Sequence, residues 1–330
     1  MTLRILAAVA AALMSATCSA SAAPAPAAAP APAAAPAATH VKTRTIGDYT
    51  VANVAYYSTD PDQNADVWFD PAALGGPTRP AVVIVHGGSW GNGSAWSETT
   101  AAQKFADAGF VVMNINYRLT QTVDANLGTP WPAQRIDVAL AVNWLKANAA
   151  TYGTAANRIG LYGFSAGGHL AVLSSGYYNS VRAVVSVSGV LEPGRVALVA
   201  ENADTGYDGD PWLPSVAKLA QWESVAMTCA YYPTWTNGSG GCGDRWRTFE
   251  PGTYLAANKP PQYLVMGDAD PAVPLGTFAS WDEKAWAAGV DHTMVLVPNR
   301  GHDESMLTGT GADDAARWAD MISWLRAHTL

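Results

Sequence analysis

The chain has 330 residues, of which 49% are hydrophobic, 14% are charged and 30 are glycine. This composition is typical of a globular protein with a large buried core and excludes a disordered or fibrous chain, and we expect one large domain. The formal net charge of −8 disfavours binding to nucleic acid or to an anionic membrane surface.

The amino terminus predicts an export signal. Arg4 precedes an apolar run from Ile5 to Met14, and Ala20-Ser21-Ala22 has the small-x-small pattern that signal peptidase cleaves. We therefore expect a signal peptide over residues 1–22, although a short buried helix is the alternative. The mature protein is then secreted or periplasmic and not bound to a membrane.

An Ala/Pro-rich segment over residues 23–40 separates this signal from the folded part of the chain. Its prolines favour an extended, semi-rigid linker, so the domain is expected to span residues 41–330. Cys18 raises the alternative of a lipoprotein anchor, but Ser15 stands where such signals usually carry an aliphatic residue.

Short β-branched runs alternate with helical stretches from residue 80 onward, which is typical of a parallel sheet covered by helices on both faces. The predicted strands are Val51 to Tyr57, Asp66 to Phe69, Ala81 to Val85, Phe110 to Ile115, Ile159 to Tyr162, Val181 to Val187, Tyr263 to Met266 and Met294 to Val297. The first two are expected to be antiparallel strands at one edge of the sheet. The predicted helices are Thr99 to Ala108, Pro132 to Ala149, Ala166 to Ser174, Thr277 to Ala288 and Ala312 to Ala327. In the second helix Ile136, Leu140, Trp144 and Ala147 form the stripe expected to face the sheet.

Residues 191–258 break this alternation and are rich in Gly, Pro, Trp and Tyr. We expect an insertion over the carboxyl edge of the sheet. Two of its residues, Trp235 and Trp246, are expected to contact substrate, and so is Trp90, which lies before the insertion. The alternative is that these rings only pack the insertion onto the sheet.

Cys229 and Cys242, both in this insertion, are the cysteines outside the signal. An even pair in an exported chain favours a disulfide, worth on the order of 3 kcal/mol, over two free thiols. The acidic run over residues 204–210 is compatible with calcium, but a solvated loop is the favoured interpretation, and we expect no metal and no cofactor.

The strongest chemical signal is Gly163-Phe164-Ser165-Ala166-Gly167, a G-x-S-x-G element between a predicted strand and a predicted helix. A tight strand-to-helix turn of this kind projects the serine hydroxyl above the sheet, at a helix N-terminus. We therefore predict that Ser165 is a nucleophile, although a chance match in a glycine-rich chain is the alternative.

A serine nucleophile needs a base whose tautomer is fixed by a carboxylate. His302 follows the last predicted strand and is the expected base, whereas His292 and His328 are expected to face solvent and His169 to be a packed side chain. For the acid, Asp270 is preferred because it precedes a proline, and Asp268 is the alternative.

Acyl transfer also needs backbone donors for the oxyanion. His86-Gly87-Gly88-Ser89-Trp90 follows a predicted strand, and its glycines let the backbone approach the acyl oxygen. We assign the amides of Gly87 or Gly88, together with that of Ala166, to the oxyanion hole, with an ordinary glycine turn as the alternative, and expect His86 to brace the loop.

At this point the sequence resembles the α/β-hydrolase esterases of the hormone-sensitive-lipase and feruloyl/acetyl-xylan esterase kind. The matching segments, which cover most of residues 80–305, are HGGSW (86–90), NYR (116–118), residues 131–153, RIGLYGFSAGGHLA (158–171), GDADPAVP (267–274) and GH (301–302). Two departures are Ser89, where the family usually has a third glycine, and Ala155-Ala156, where it usually has Asp-Pro.

The resemblance implies a cofactor-independent serine hydrolase with Ser165, Asp270 and His302 as its catalytic triad, acting on small-molecule or polysaccharide-linked carboxylic esters, acetyl or feruloyl esters among them. An exported peptidase or amidase with the same triad is one alternative. A non-catalytic binding protein that has kept the fold is another, although such relatives typically lose the nucleophile or the histidine.

Overall fold

The computed structural model describes residues 42–57, 60–120, 131–194 and 242–330, without the side chains of 242–245. In these ranges the strands are β1 Lys42–Ile46, β2 Tyr49–Ala55, β3 Asn64–Phe69, β4 Arg79–Val85, β5 Val111–Ile115, β6 Thr154–Phe164, β7 Val184–Val187, β8 Gln262–Gly267 and β9 His292–Val297. The helices are α1 Thr99–Asp107, α2 Ala133–Ala147, α3 Ala166–Tyr178, α4 Cys242–Phe249, α5 Leu275–Ala287, α6 Ser305–Thr308 and α7 Ala312–Thr329.

The described strands form one sheet in the order β1-β2-β3-β5-β4-β6-β7-β8-β9. The pairs β1–β2, β2–β3 and β3–β5 are antiparallel. All pairs from β5 to β9 are parallel. The expected mostly parallel sheet with antiparallel strands at one edge is therefore confirmed.

Burial on both faces explains why the central strands are continuously apolar. In β4, Ala81 to Val85 have no solvent-exposed surface, and a strand covered on both sides has no position at which a polar side chain would be favoured. One apolar cluster joins one face of the sheet to α2, α3 and α5, and a second joins the opposite face to α1 and α7.

The predicted sheet-facing stripe of α2 is wrong in part. Ile136 is 38% exposed and Ala147 is also exposed, whereas Val138, Val142 and Leu145 are buried. The reason is Asp137, which is fully buried because its carboxylate pairs with Arg118 at 2.7 Å. This ion pair turns the helix so that the residue before Asp137 faces outward.

The remaining differences are elements that were not predicted, namely β1, α4 and α6, and shifted element ends. β1 was not predicted, because its side chains are exposed or half-buried and lack an apolar pattern. β7 begins at Val184, three residues later than expected. No helix in the described ranges is long and apolar enough to cross a membrane.

Several predictions fall on residues outside the described ranges. These are the signal peptide (1–22), the linker (23–40), the acidic run (204–210), Cys229 with its disulfide to Cys242, and Trp235. They stay predictions.

Candidate active site

Ser165 lies at the junction of β6, which ends at Phe164, and α3, which begins at Ala166. Its backbone has φ 54° and ψ −122°, a strained conformation for a residue with a side chain. The Ser165 amide donates to the Val187 carbonyl at 2.8 Å, which anchors the turn to the neighbouring strand. The predicted strand-to-helix placement of the motif is observed.

The two glycines of the motif are required by close backbone contacts. A Cβ on Gly163 would lie 2.3 Å from the Gly167 carbonyl oxygen, and one on Gly167 would lie 2.0 Å from the Val85 carbonyl oxygen. Both distances are far below van der Waals contact, so neither position accepts a side chain without moving the backbone.

The structure brings Ser165, His302 and Asp270 into one hydrogen-bonded chain. His302 Nε2 lies 2.8 Å from Ser165 Oγ, and His302 Nδ1 lies 2.8 Å from Asp270 Oδ2. Asp270 Oδ1 accepts from the amides of Ala272 and Val273, both at 2.9 Å. The Asp270 side chain is 1% exposed and that of His302 is 21% exposed.

Asp268, the alternative acid, serves the loop instead. Its Oδ1 accepts from the Asn299 amide at 2.6 Å. The Ala269 amide donates to the Arg300 carbonyl at 3.0 Å. These contacts join the loop after β8 to the loop after β9, which places Asp270 beside His302.

Arg300 holds the histidine loop, and no motif pointed to it. Its guanidinium pairs with Asp314 at 3.2 Å and Asp303 at 3.3 Å and donates to Ser305 Oγ at 2.7 Å. Phe164 adds a ring contact with His302, with centroids 5.0 Å apart. The imidazole is therefore fixed both from the sheet and from its own loop.

The glycine loop after β4 lies against the serine. A Cβ on Gly87 would be 3.3 Å from Ser165 Cβ, while Gly88 has φ 115°, where only glycine is unstrained. The Gly87 amide donates to Glu98 Oε1 at 3.4 Å. In the described part of the chain, the amides of Gly88 and Ser89 have no hydrogen-bond acceptor.

Ala166 is the first residue of α3, where a backbone N–H has no acceptor within the helix. Among the described residues no acceptor binds the amide of Ala166 or that of Gly88, whereas the Gly87 amide donates to Glu98. The oxyanion role of Gly87 or Gly88 together with Ala166 stays a prediction.

Trp90 and Trp246 do not offer a face to substrate. Trp90 has no exposed surface and Trp246 is 3% exposed, and both rings pack against Phe249. The Trp90 indole donates to His169 Nδ1 at 3.1 Å. Substrate contact by these two residues is therefore corrected to core packing, the alternative weighed for the aromatic rings.

The other histidines have structural contacts. His169 is packed as expected, and burial lowers its pKa to about 3. His86 binds the Gly87 carbonyl at 2.6 Å and stacks on Tyr117. His292 does not face solvent as expected, because its side chain is 10% exposed and contacts Asp282 at 2.8 Å.

His328, at the end of α7, also departs from the expectation of a solvent-facing side chain. Its Nδ1 lies 2.7 Å from the Trp324 carbonyl, and its side chain is 27% exposed. Within the ranges that the structure covers, no cluster of three His, Cys, Asp or Glu residues could hold a metal ion.

Comparison with known proteins agrees with this architecture. Residues 66–195 match the BD-FAE family model. Esterase LipC of Mycobacterium tuberculosis is 27% identical over 271 residues, which are 77% of this chain and 60% of LipC. Esterase LipQ of the same organism is 27% identical over 72% of this chain and 53% of LipQ. The chain thus spans little more than half the length of these relatives.

Solved structures of esterases share the fold. A truncated carbohydrate esterase from gut microbiota has a TM-score of 0.63 at 22% identity, covering 89% of this chain and 99% of that chain. Esterase B from Lactobacillus rhamnosis has a TM-score of 0.66 at 19% identity, covering 87% of this chain and 88% of that chain. The chain is therefore an α/β-hydrolase-fold protein that is similar to esterases of that fold, and its residues 66–195 match the BD-FAE family model.

Proposed function

We propose that this protein hydrolyses carboxylic esters through an acyl-enzyme intermediate on Ser165. The observation that carries the proposal is the hydrogen-bonded chain in which His302 lies 2.8 Å from both the Ser165 hydroxyl and the Asp270 carboxylate. The curated relatives named as esterases support it.

In the first step the Ser165 hydroxyl attacks the ester carbonyl while its proton passes to His302 Nε2. The C–O bond to the alcohol then breaks, and the alcohol leaves with that proton. Water attacks the acyl-enzyme with His302 again as base, which releases the carboxylic acid and restores the serine. Asp270 keeps the proton of the neutral imidazole on Nδ1 and stabilises the imidazolium.

Each addition places a negative charge on the former carbonyl oxygen, which backbone N–H groups stabilise. We assign this role to the amides of Ala166 and Gly88, with the neighbouring Ser89 amide as a further donor. The N-terminus of α3 adds a partial positive charge at the same place.

For the substrate we propose acetyl or feruloyl esters, either small or linked to polysaccharide. The resemblance to feruloyl and acetyl-xylan esterases and the fold shared with a carbohydrate esterase support this choice. Because Trp90 and Trp246 are buried, we assign the acyl selectivity to residues of the 191–258 segment other than Trp246.

The test is hydrolysis of a graded panel of acetyl, butyryl, long-chain and feruloyl esters by the wild-type protein, with Ser165→Ala as control. We expect activity on short or feruloyl esters that the control loses. Preferential cleavage of matched anilides would instead identify the amidase or peptidase alternative. Failure of a fluorophosphonate probe to label the wild-type protein would favour a non-catalytic binding protein.

We also propose export of the mature domain, supported by the Arg4 and Ile5 to Met14 pattern and by Ala20-Ser21-Ala22. N-terminal sequencing of protein recovered from the medium or periplasm should begin just after Ala22. Recovery of the full-length chain in the cytoplasm would contradict the proposal.

A further inference from the structure

Two carboxyl groups that the mechanism does not use lie behind the active-site loops. Glu98 ends a 3-10 turn after the glycine loop and is 2% exposed. Glu304 lies two residues beyond His302 in the opposite loop. The two side chains are within hydrogen-bonding reach of each other.

Each carboxyl group is also bound to a different part of the site. Glu98 Oε1 accepts from the Gly87 amide at 3.4 Å. Glu304 Oε1 accepts from the Tyr162 hydroxyl at 2.7 Å, and Tyr162 belongs to the strand that leads to Ser165. The pair therefore connects the glycine loop, the histidine loop and the strand before the nucleophile.

The hydrogen bonds and burial around Glu98 and Glu304 indicate that one of the two carboxyl groups is protonated. Glu98 Oε2 is buried and accepts no hydrogen bond from the described residues. The Ser97 hydroxyl lies beside Glu98 but donates to the Ser94 carbonyl at 2.6 Å. Glu98 is buried and Glu304 is half-buried, and like charges in contact at such a site raise the pKa of one of the two carboxyl groups, so that both are not charged together. Burial raises the pKa of Glu304 well above its ordinary value and raises that of Glu98 as well. A proton on Glu304 gives Glu98 a hydrogen-bond donor.

We propose that Glu98 and Glu304 share one proton and act as positioning residues that hold the glycine loop at a fixed distance from the loop of His302. The inference rests on the proposed function. If Glu98 and Glu304 share a proton, the backbone amide of Gly88 and the imidazole of His302 keep their relative positions around Ser165 only while that proton is present.

The other titratable groups that face the pair do not replace this proton. Tyr117 lies near Glu98, and burial raises its pKa, as it does that of Tyr162. Asp303 faces Glu304 and is paired with Arg300. Burial lowers the pKa of His86 to about 4, so this residue is neutral above that pH.

The sign of the pH dependence follows from the raised pKa. The protonated pair stabilises the fold fully below the ordinary pKa of a glutamate, and this contribution is lost as pH rises through the raised value in the folded state. Above that pH two anions repel each other between the loops. Wild-type Tm and kcat should therefore both fall toward alkaline pH.

The experiment compares Glu304→Gln with Glu304→Met, two side chains of similar size of which only glutamine can donate to Glu98. For both variants and the wild type, kcat, KM and Tm are measured from about pH 6 to pH 10. Glu304→Gln should keep kcat within about threefold at neutral pH and remove the alkaline decline. Glu304→Met should lower kcat by about tenfold or more with KM nearly unchanged, as expected when reacting groups are displaced.

Equal kcat and equal pH profiles for the two variants would show that the position needs volume only, and would overturn the proposal. If Glu304→Met does not fold, the wild type is compared with Glu304→Gln alone. Identical dependence of Tm on pH in these two proteins would exclude the shared proton. If the wild type hydrolyses no ester, the proposed function fails, while the Tm profiles still test the proton.

Discussion

Replacing Asp270 by asparagine tests the role of the carboxylate, because the structure dictates how the new side-chain amide must sit. Oδ1 of Asp270 accepts two backbone amides at 2.9 Å, so the side-chain oxygen of the introduced asparagine takes that place. The NH2 group then occupies the position of Oδ2, 2.8 Å from His302 Nδ1. As a donor it forces Nδ1 to accept and moves the ring proton to Nε2.

A protonated Nε2 faces the Ser165 hydroxyl and cannot take its proton. The same tautomer change in a serine–histidine–aspartate triad lowers kcat by about ten-thousandfold, which is about 5.5 kcal/mol of transition-state stabilisation. The assay is steady-state hydrolysis of p-nitrophenyl acetate at neutral pH, with Tm measured to confirm folding.

Asp268→Asn is the matched control, because an asparagine oxygen can still accept from the Asn299 amide. It should leave kcat within about threefold of the wild type, as expected for a residue outside the reacting groups. An Asp270→Asn variant that kept more than about a tenth of wild-type kcat would refute the tautomer reasoning.

Three further predictions concern stability. Gly167→Ala places a methyl group 2.0 Å from the Val85 carbonyl oxygen and should lower the free energy of unfolding, measured in urea, by about 1–3 kcal/mol. The control is Gly252→Ala, whose methyl group meets no atom closer than 4.0 Å and should leave that free energy unchanged. Trp90→Phe removes the donor to His169 Nδ1 and should cost about 1–3 kcal/mol; an unchanged urea midpoint would contradict this. Burial raises the pKa of Glu250 to about 7. The stability that comes from the protonated Glu250 carboxyl group is therefore complete below the ordinary pKa of a glutamate and is lost as pH rises through about 7. Glu250→Gln should flatten the dependence of Tm on pH over that window, and an unaltered dependence would exclude this role of Glu250.

Much of the central sheet could be predicted because burial leaves a simple trace in the sequence. β4 and β8 are apolar runs covered on both faces, and Ser165 stands between a strand and a helix. In this fold the serine comes first in the chain, the acid second and the histidine last. This order limited the predicted partners of Ser165 to two acids, Asp268 and Asp270, and to the three histidines at 292, 302 and 328.

What could not be predicted depends on contacts between residues far apart in the chain. The pair of Arg118 with the buried Asp137 sets the rotation of α2 and leaves Ile136 exposed. Glu98 and Glu304 carry no local pattern, since each is one acid in a polar loop until the fold brings them together. Trp90 follows two glycines at the site, yet its indole turns inward to His169.

The central claim is tested most directly by trapping the acyl-enzyme. The wild-type protein is mixed with p-nitrophenyl acetate, quenched in acid and digested, and its peptides are measured by mass spectrometry. One acetyl group should appear on the peptide containing Ser165, and it should be absent from Ser165→Ala and strongly reduced in His302→Ala. Ester hydrolysis with no adduct on Ser165, or with equal labelling in His302→Ala, would contradict the account.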